Sequence, residues 1–297
     1  MVGNPKEEPP LGIILPDLEN ASYARLAKLL EQGARARGYQ LLIAGSGDDP
    51  DTELELARSL KARRCDALIV ASALAPDDTF YEQLQQEDLP VIAVDRSQSP
   101  GVISCVVSDN RKGAATLARS VLEPGTGSVV WLDAVPALAM TRERREGFEE
   151  VARSRSGQWA VYSGERYDRA SGARLMQQVL ADQGLPDALI TASYTLLQGV
   201  LDVLLEQPGG LPQSLRMATF GDDRLLDFLP VKVHSLPQKH EAIAEATLDR
   251  AREVQGPGPR VGEELRGRPA DGFRRPADRR AHPRHRRGND PRRVPVA

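Results

Sequence analysis

The sequence is poor in the residues that most often form reactive or cross-linked centres. It has two cysteines and four histidines in 297 residues, and aromatic residues make up only 4%. Cys65 and Cys105 lie in apolar contexts far apart, which predicts small buried hydrophobes; a disulfide or redox pair is the alternative. No apolar run approaches the roughly 18 residues of a membrane-spanning helix. The N-terminus, MVGNPKEEPP, lacks the apolar segment of a secretory signal, which predicts a cytoplasmic protein.

The motifs of common enzyme classes are also missing. There is no GxxxxGK[ST] phosphate loop and no GxSxG nucleophile elbow. The segment GSGDDP, Gly45–Pro50, has the first two glycines of a dinucleotide fingerprint, but Pro50 stands in place of the third. His234 and His240 have no partners at metal-ligand spacing. The sequence therefore predicts neither an enzyme nor a protein with a cofactor or metal.

The excess of basic charge is confined to one end of the chain. Residues 250–297 contain 14 arginines, six acidic residues and no lysine, a net +8 in a chain whose total is −3. The other 249 residues therefore carry −11, and they lack the clustered basic side chains that nucleic-acid phosphates require. The Arg-, Pro- and Gly-rich tail, 253–297, is predicted to be disordered. Its composition favours a frame-altered gene end, and a basic nucleic-acid-binding arm is the alternative.

Apolar runs alternate with amphipathic helical stretches in the rest of the chain. The first unit, from Leu11 to Ser46, reads as a strand, a polar loop, a helix and a second strand. Continuous apolar runs of this kind are typical of parallel sheets covered by helices on both faces. The pattern stops and restarts once, so we predict two α/β lobes with a cleft between them. Strands are predicted at 11–15, 39–44, 66–71, 90–95, 102–109, 128–133, 159–163, 187–191, 215–220 and 231–236.

Polar side chains recur where predicted strands end and where the next helices begin. Ligands bind at this edge of open parallel sheets. Carboxylates, arginines, amides, hydroxyls and one aromatic ring together suit a polyhydroxylated ligand such as a sugar. Capping of the first helix is an equal alternative for Asn20 and Ser22, and a cap, turn or surface charge is an alternative for each of the others. The candidate ligand-binding residues are Asn20, Ser22, Ser72, Asp95, Arg96, Arg144, Tyr167, Ser193, Asp222 and Gln238.

Several segments resemble the effector-binding core of LacI-family transcriptional regulators. The resemblance covers about Leu11 to Arg250, and its most specific pieces are ITASYTLLQGV and ATFGDDRLLDFLP. In RREGF, Arg144 falls where the inducer-binding arginine of the family sits, and the other candidate residues fall on positions that line its ligand cleft. The arginine of LPVIAVDR, Arg96, is unusual across the wider family.

The resemblance implies a two-lobed fold like that of periplasmic binding proteins. The implied lobes are 11–109 with the last helix 238–252, and 110–237, after an extension at 1–10. The implied effector is fructose 1-phosphate or a similar phosphosugar. Arg96 and Arg144 are expected to hold its phosphate and inner hydroxyls, because guanidinium groups bind phosphate bidentately. Asp95 and Asp222 are expected to accept hydrogen bonds from sugar hydroxyls.

The resemblance also implies partners and a place in the cell. It implies a cytoplasmic regulator that forms a homodimer or tetramer, has no cofactor and does not associate with membranes. Family members contact operator DNA through a helix-turn-helix headpiece, which this chain is expected to lack. The alternatives are a sugar-binding protein of a transport system, which the missing leader disfavours, and an enzyme on an α/β scaffold, which lacks a catalytic constellation.

Overall fold

The computed structural model describes residues 10–123, 125–154 and 157–254, and the backbone of one further strand at 264–267. The strands are β1 Pro10–Leu15, β2 Gln40–Gly45, β3 Ala67–Val70, β4 Val91–Val94, β5 Ser104–Ser108, β6 Ser128–Ala134, β7 Gln158–Gly164, β8 Ala188–Thr191, β9 Arg216–Phe220, β10 Val233–Leu236 and β11 Glu264–Gly267. Ten of these eleven strands, β1 to β10, lie where the sequence predicts them, with bounds that differ by a few residues. The helices are α1 Ala21–Ala36, α2 Pro50–Ala62, α3 Phe80–Gln86, α4 Asn110–Val121, α5 Ala139–Arg153, α6 Arg169–Gln183, α7 Tyr194–Leu205 and α8 His240–Val254, with a 3-10 helix at Arg224–Phe228.

The strands form two separate sheets. The order of the first is β11-β5-β4-β3-β1-β2, and the order of the second is β10-β9-β8-β6-β7. Every pair of neighbouring strands in the described residues is parallel. The predicted α/β architecture of two parallel sheets is confirmed. Because the strands of each sheet share one direction, their carboxyl ends lie along a single edge where loops can converge on a ligand.

Each sheet is covered by helices on both faces, which explains the continuous apolar runs of its central strands. In the first sheet α1 and α8 cover one face, where Leu30 packs near Leu248, and α2 and α3 cover the other face. In the second sheet α4 and α5 cover one face, and α6 and α7 cover the other. Trp131 of β6 stacks on Phe148 of α5 with ring centroids 5.2 Å apart. The two sheets therefore have independent cores, and the space between them is free for a ligand.

A short strand lies within the tail for which composition predicts disorder. Residues Glu264–Gly267 pair in parallel with β5, from Cys105 to Ser108. The backbone groups of an exposed sheet edge can be satisfied by any extended segment, so this pairing does not need an apolar sequence. The rest of the tail, with His282 and His285, lies outside the described residues.

Two helix pairs of the second lobe approach each other closely at glycines. In the α4–α5 pair, a Cβ added at Gly147 would lie 2.0 Å from the Arg111 carbonyl oxygen. In the α6–α7 pair, a Cβ at Gly199 would lie 1.9 Å from the Arg169 carbonyl oxygen. These obstacles are backbone atoms, which cannot swing aside as a side chain can. The helix spacing that shapes the second lobe therefore depends on these glycines.

We expect Gly199→Ala to lower the free energy of unfolding by at least about 2 kcal/mol, because overpacking forces backbone shifts. Gly33→Ala in α1 is the matched control, since its Cβ would meet only the ends of side chains, Leu248 Cδ1 at 2.5 Å and Arg37 Nη1 at 3.3 Å. Those side chains can rotate, and alanine favours the helix, so the control should change the stability by less than about 1 kcal/mol. Chemical denaturation of both variants checks this. Equal losses of unfolding free energy in the two variants would contradict the conclusion that backbone atoms block a Cβ at Gly199.

Candidate ligand-binding cleft

A cavity of about 1010 Å³ lies between the two lobes. Its walls are the loops that follow β1, β2 and β4 of the first sheet and β7, β8, β9 and β10 of the second, together with the start of α5. The structure brings nine of the ten predicted site residues into this lining. They are Asn20, Ser22, Asp95, Arg96, Arg144, Tyr167, Ser193, Asp222 and Gln238.

A chain of hydrogen bonds fixes the wall around Asp95. Tyr23 Oη donates to Asp95 Oδ2 at 2.9 Å, and Gln238 Nε2 donates to Asp95 Oδ1 at 2.8 Å. Ser22 Oγ donates to Gln238 Oε1 at 2.7 Å and lies 2.7 Å from His240 Nε2. Asp95 itself has a φ of 63°, a left-handed conformation that is costly for a non-glycine residue. The network joins the end of β4, the start of α1 and the start of α8 into one wall.

The network also includes His240. Ser22 Oγ donates to Gln238 Oε1, and it lies 2.7 Å from His240 Nε2 in a hydrogen bond whose donor depends on the tautomer of the imidazole. Burial lowers the pKa of His240 below its usual 6.5, although Asp95 opposes this shift. Burial therefore favours the neutral imidazole at this position.

Arg144 is a buried cation whose partners are all neutral. Its Nε donates to Asn110 Oδ1 at 2.8 Å and its Nη1 donates to the Ala192 carbonyl at 2.7 Å. The guanidinium lies 4.3 Å from the centroid of the Phe220 ring. Within the described residues no carboxylate forms an ion pair with Arg144, and neither of the two bonds uses Nη2. A buried charge without a counter-charge is costly, so this group favours an anionic ligand.

Arg96 is buried as well, but it is paired. Its Nη1 lies 2.5 Å from Asp48 Oδ1 and its Nη2 lies 3.4 Å from Asp48 Oδ2. Nη1 also donates to the Ser72 carbonyl at 3.1 Å, and Nε has no hydrogen-bond partner in the described part of the chain. The sequence predicts that Arg96 binds phosphate, whereas the structure shows its charge matched by Asp48.

Ser72 is the predicted site residue that the structure does not place in the cavity lining. It lies two residues after β3, a central strand of the sheet, and is buried, and its hydroxyl donates to Glu53 Oε1 at 2.5 Å. Tyr81 Oη donates to the same oxygen at 2.7 Å. Burial raises the pKa of Glu53, and these hydrogen bonds oppose the shift. Ser72 therefore supports Arg96 through its carbonyl and satisfies a buried carboxyl group, because its hydroxyl is directed beneath the cleft floor.

The predicted capping roles are also present in the cleft. Asn20 Oδ1 accepts from the Ser22 amide at 3.0 Å, and Ser193 Oγ accepts from the Leu196 amide at 3.2 Å. Both residues still line the cavity, so capping and ligand contact are compatible. Tyr167 Oη lies 2.8 Å from Thr141 Oγ1, and burial raises the pKa of this phenol, which keeps it neutral.

Hydrogen bonds cross the cleft from lobe to lobe between described residues. Asn20 Nδ2 donates to Thr195 Oγ1 at 3.2 Å. Arg166 Nη2 donates to the Gly47 carbonyl at 2.6 Å. These bonds connect the loops that follow β1 and β2 with the second lobe. They hold the lobes together on two sides of the cavity.

Sequence reasoning missed several residues that line the cavity or act on its walls. Tyr23 lies inside a helix pattern, where its ring reads as core, and Phe220 ends an apolar strand. Asp48 belongs to GSGDDP, which draws attention for its glycines rather than its carboxylates. His240 has no motif, and its role follows from Ser22, which is 218 residues away in the chain. A polar residue just after each strand is the one signal that could have identified Asp48.

No group of three or more His, Cys, Asp or Glu side chains in the described residues is arranged to hold a metal ion. No helix in the same residues is long and apolar enough to cross a membrane. Both cysteines are buried and neither is in a disulfide.

Residues 8–210 match the family described as periplasmic binding proteins and sugar-binding domain of the LacI family. Over 237 residues the chain is 50% identical to the fructose operon regulatory protein of Vibrio cholerae, a match that covers 80% of this chain and 72% of that protein. It is 38% identical over 239 residues to the catabolite repressor/activator of Escherichia coli K12, with the same coverage of 80% and 72%. These relatives are regulators by name.

Solved structures agree with the two-lobed fold. The crystal structure of the Cra transcriptional dual regulator from Pseudomonas putida, in complex with fructose 1-phosphate, is 47% identical with a TM-score of 0.85. The match covers 90% of this chain and 98% of that one. A LacI family transcriptional regulator from Enterococcus faecium with bound ribose shares the fold at 17% identity, with a TM-score of 0.76 and coverage of 90% and 97%. The expected periplasmic-binding-protein-like architecture is confirmed.

Stability should fall in mild acid because of His240. The pKa of His240 is lowered in the folded protein, so the unfolded chain takes up a proton first as the pH falls. The stabilisation is fully present above pH 6.5 and is lost as the pH falls from there through the folded pKa. We expect His240→Gln to remove this part of the pH dependence, measured as the free energy of unfolding at pH 8, 6.5 and 5. Parallel curves for the variant and the wild type would contradict the assignment.

Proposed function

The chain belongs to the family of periplasmic binding proteins and LacI-type sugar-binding domains, and we propose that it is the effector-sensing part of a transcriptional regulator of fructose metabolism. Its proposed effector is fructose 1-phosphate or a similar phosphosugar. The observation that carries this proposal is the buried Arg144, whose partners are neutral, in a cleft lined with hydroxyls, amides and carboxylates. The effector bound to the Pseudomonas putida relative supports the same ligand class.

Arg144 is the proposed anchor of the phosphate group. Asn110 and the Ala192 carbonyl hold the guanidinium in place, and the Phe220 ring covers one of its faces. Phosphate would supply the missing counter-charge through charge-assisted hydrogen bonds to Nη2. The Arg144 side chain is buried, so these bonds would contribute more than they would at a surface.

The sugar hydroxyls have proposed partners in both lobes. Asn20 and Gln238 offer amide groups from the first lobe, and Ser193 and Asp222 offer oxygens from the second. Asp222 Oδ1 accepts from Ser235 Oγ at 2.7 Å, which fixes the direction of its carboxylate. A ligand held by both lobes would add to the hydrogen bonds that already join them across the cleft.

The proposed output is a change in the geometry of a regulator dimer or tetramer on operator DNA, in the cytoplasm. A ligand shifts a conformational equilibrium only by its differential affinity for the two states. A cleft that closes on the effector provides that difference. The names of the relatives from Vibrio cholerae and Escherichia coli support a regulator over a transport protein or an enzyme.

Isothermal titration calorimetry with fructose 1-phosphate tests the proposal, with fructose and inorganic phosphate as controls. We expect Arg144→Met to weaken fructose 1-phosphate binding by at least about 30-fold, since losing a buried charge partner costs about 2–5 kcal/mol. Arg142→Met is the matched control: Arg142 is exposed on the same helix and does not line the cavity, so affinity should be unchanged. Undiminished binding by Arg144→Met would remove Arg144 from the site, and no binding by the wild type would refute the proposed effector.

A further inference from the structure

The two buried arginines of the cleft differ in their charge balance. Arg144, in the second lobe, has two neutral hydrogen-bond acceptors and an aromatic ring around it. Arg96, in the first lobe, has both terminal nitrogens on one carboxylate, Asp48, whose side chain is 13% exposed. Within the described residues, the cleft therefore has one buried cation that needs an anion and one that already has its own.

The loop after β2 is built to present Asp48 to Arg96. Gly47 has a φ of 65° and Asp48 a φ of 58°, so two successive residues take the left-handed conformation. Aspartate adopts this conformation more readily than most other non-glycine residues, and the turn leaves both carboxylate oxygens of Asp48 in contact with Arg96. The next residue, Asp49, does something different: it is exposed and caps α2 by accepting from the Thr52 amide at 2.9 Å.

The pair lies where the far end of a bound phosphosugar would meet the first lobe. Both Asp48 and Arg96 line the cavity, as Arg144 does on the other side. Arg96, which follows β4, reaches across the ends of β3 and β1, contacting the Ser72 carbonyl after β3 and Asp48 after β2. A phosphate held by Arg144 in the second lobe leaves the rest of the ligand facing this wall.

We propose that Asp48 is a specificity-determining residue, which neutralises Arg96 and thereby restricts the cleft to ligands with a single phosphate group. This inference rests on the proposed function. A second phosphate directed at the first lobe would meet the Asp48 carboxylate instead of an available guanidinium. Without Asp48, the cleft would have two buried cations on opposite walls and would suit a bisphosphate.

The charges of the remaining lining residues agree with this selectivity. The cavity is lined by seven Asp or Glu side chains and by five Lys or Arg side chains. Asp95 is a second carboxylate whose charge acts on Arg96. The cleft as a whole therefore does not attract a strongly charged ligand, and only the neighbourhood of Arg144 favours an anion.

The test compares the affinities of two ligands, fructose 1-phosphate and fructose 1,6-bisphosphate, by calorimetry on the full chain. The wild type should bind the monophosphate at least about tenfold more tightly than the bisphosphate. Asp48→Asn keeps the size of the side chain and one acceptor oxygen but removes the charge. It should improve bisphosphate binding, relative to monophosphate binding, by at least about tenfold.

Two further variants separate this effect from general changes in charge or folding. Asp49→Asn removes one negative charge from the adjacent residue, keeps a good capping group, and should leave the ratio of the two affinities unchanged. The double variant Asp48→Asn with Arg96→Gln removes both members of the pair. It should return the ratio to that of the wild type, because the uncompensated cation is gone.

The outcomes distinguish this inference from the proposed function. Equal affinity of the wild type for both ligands overturns the inference without any variant, so it can be tested even if Asp48→Asn does not fold. An equal gain in affinity for both ligands in Asp48→Asn also overturns it, because Asp48 would then weaken the binding of fructose 1-phosphate as much as that of the bisphosphate. Failure of the wild type to bind any fructose phosphate would instead overturn the proposed function.

Discussion

The guanidinium of Arg144, buried without a counter-charge, is the constraint on which the geometry of the cleft depends. Its support comes from three elements: Asn110 at the start of α4, the Ala192 carbonyl after β8, and the Phe220 ring of β9. Asn110 can reach Arg144 because α4 and α5 pack closely at Gly147, where a Cβ would lie 2.0 Å from the Arg111 carbonyl oxygen. The stability of the buried Arg144 charge therefore depends on the close packing of α4 and α5, because a wider helix spacing would remove a hydrogen bond that this charge needs.

The cleft wall of the first lobe differs from that of the second, because it contains several ionisable groups. Burial of such groups is costly unless they have hydrogen-bond or charge partners. Asp95 is satisfied by Tyr23 and Gln238, and Arg96 by Asp48. Burial raises the pKa of Tyr23, and the neighbouring Asp95 adds to this shift, so the phenol remains a hydrogen-bond donor. Each polar group of this wall has a fixed direction before a ligand arrives. Preorganisation of this kind lowers the entropic cost of binding, and it limits the ligand to shapes and charges that match.

The strands could be predicted well because each of the two cores needs continuous apolar strands and amphipathic helices. Both patterns are visible in the local sequence. Nine of the ten candidate residues line the cavity for a related reason: parallel strands bring their carboxyl ends to one edge. The ion pair of Arg96 with Asp48 could not be predicted, because it joins residues that are 48 positions apart, across the ends of two other strands. Ser72 has the right place in the sequence, but its hydroxyl turns to Glu53, and only the packing of α2 determines that. The strand Glu264–Gly267 escapes prediction because it pairs through its backbone.

The division of charge between the lobes gives the cleft a way to link recognition with closure. A phosphate that neutralises Arg144 stabilises the second lobe alone, in whichever arrangement the lobes adopt. On the proposed function, closure would gain free energy only from ligand groups that also reach the first lobe, where Asn20 and the loop at Gly47 bond across the cleft. A ligand must therefore combine an anion for one wall with neutral hydroxyls for the other if it is to shift the equilibrium, because equal affinity for the open and closed states shifts nothing. A simple anion such as inorganic phosphate could pair with Arg144, but it has no sugar hydroxyls to reach the first lobe.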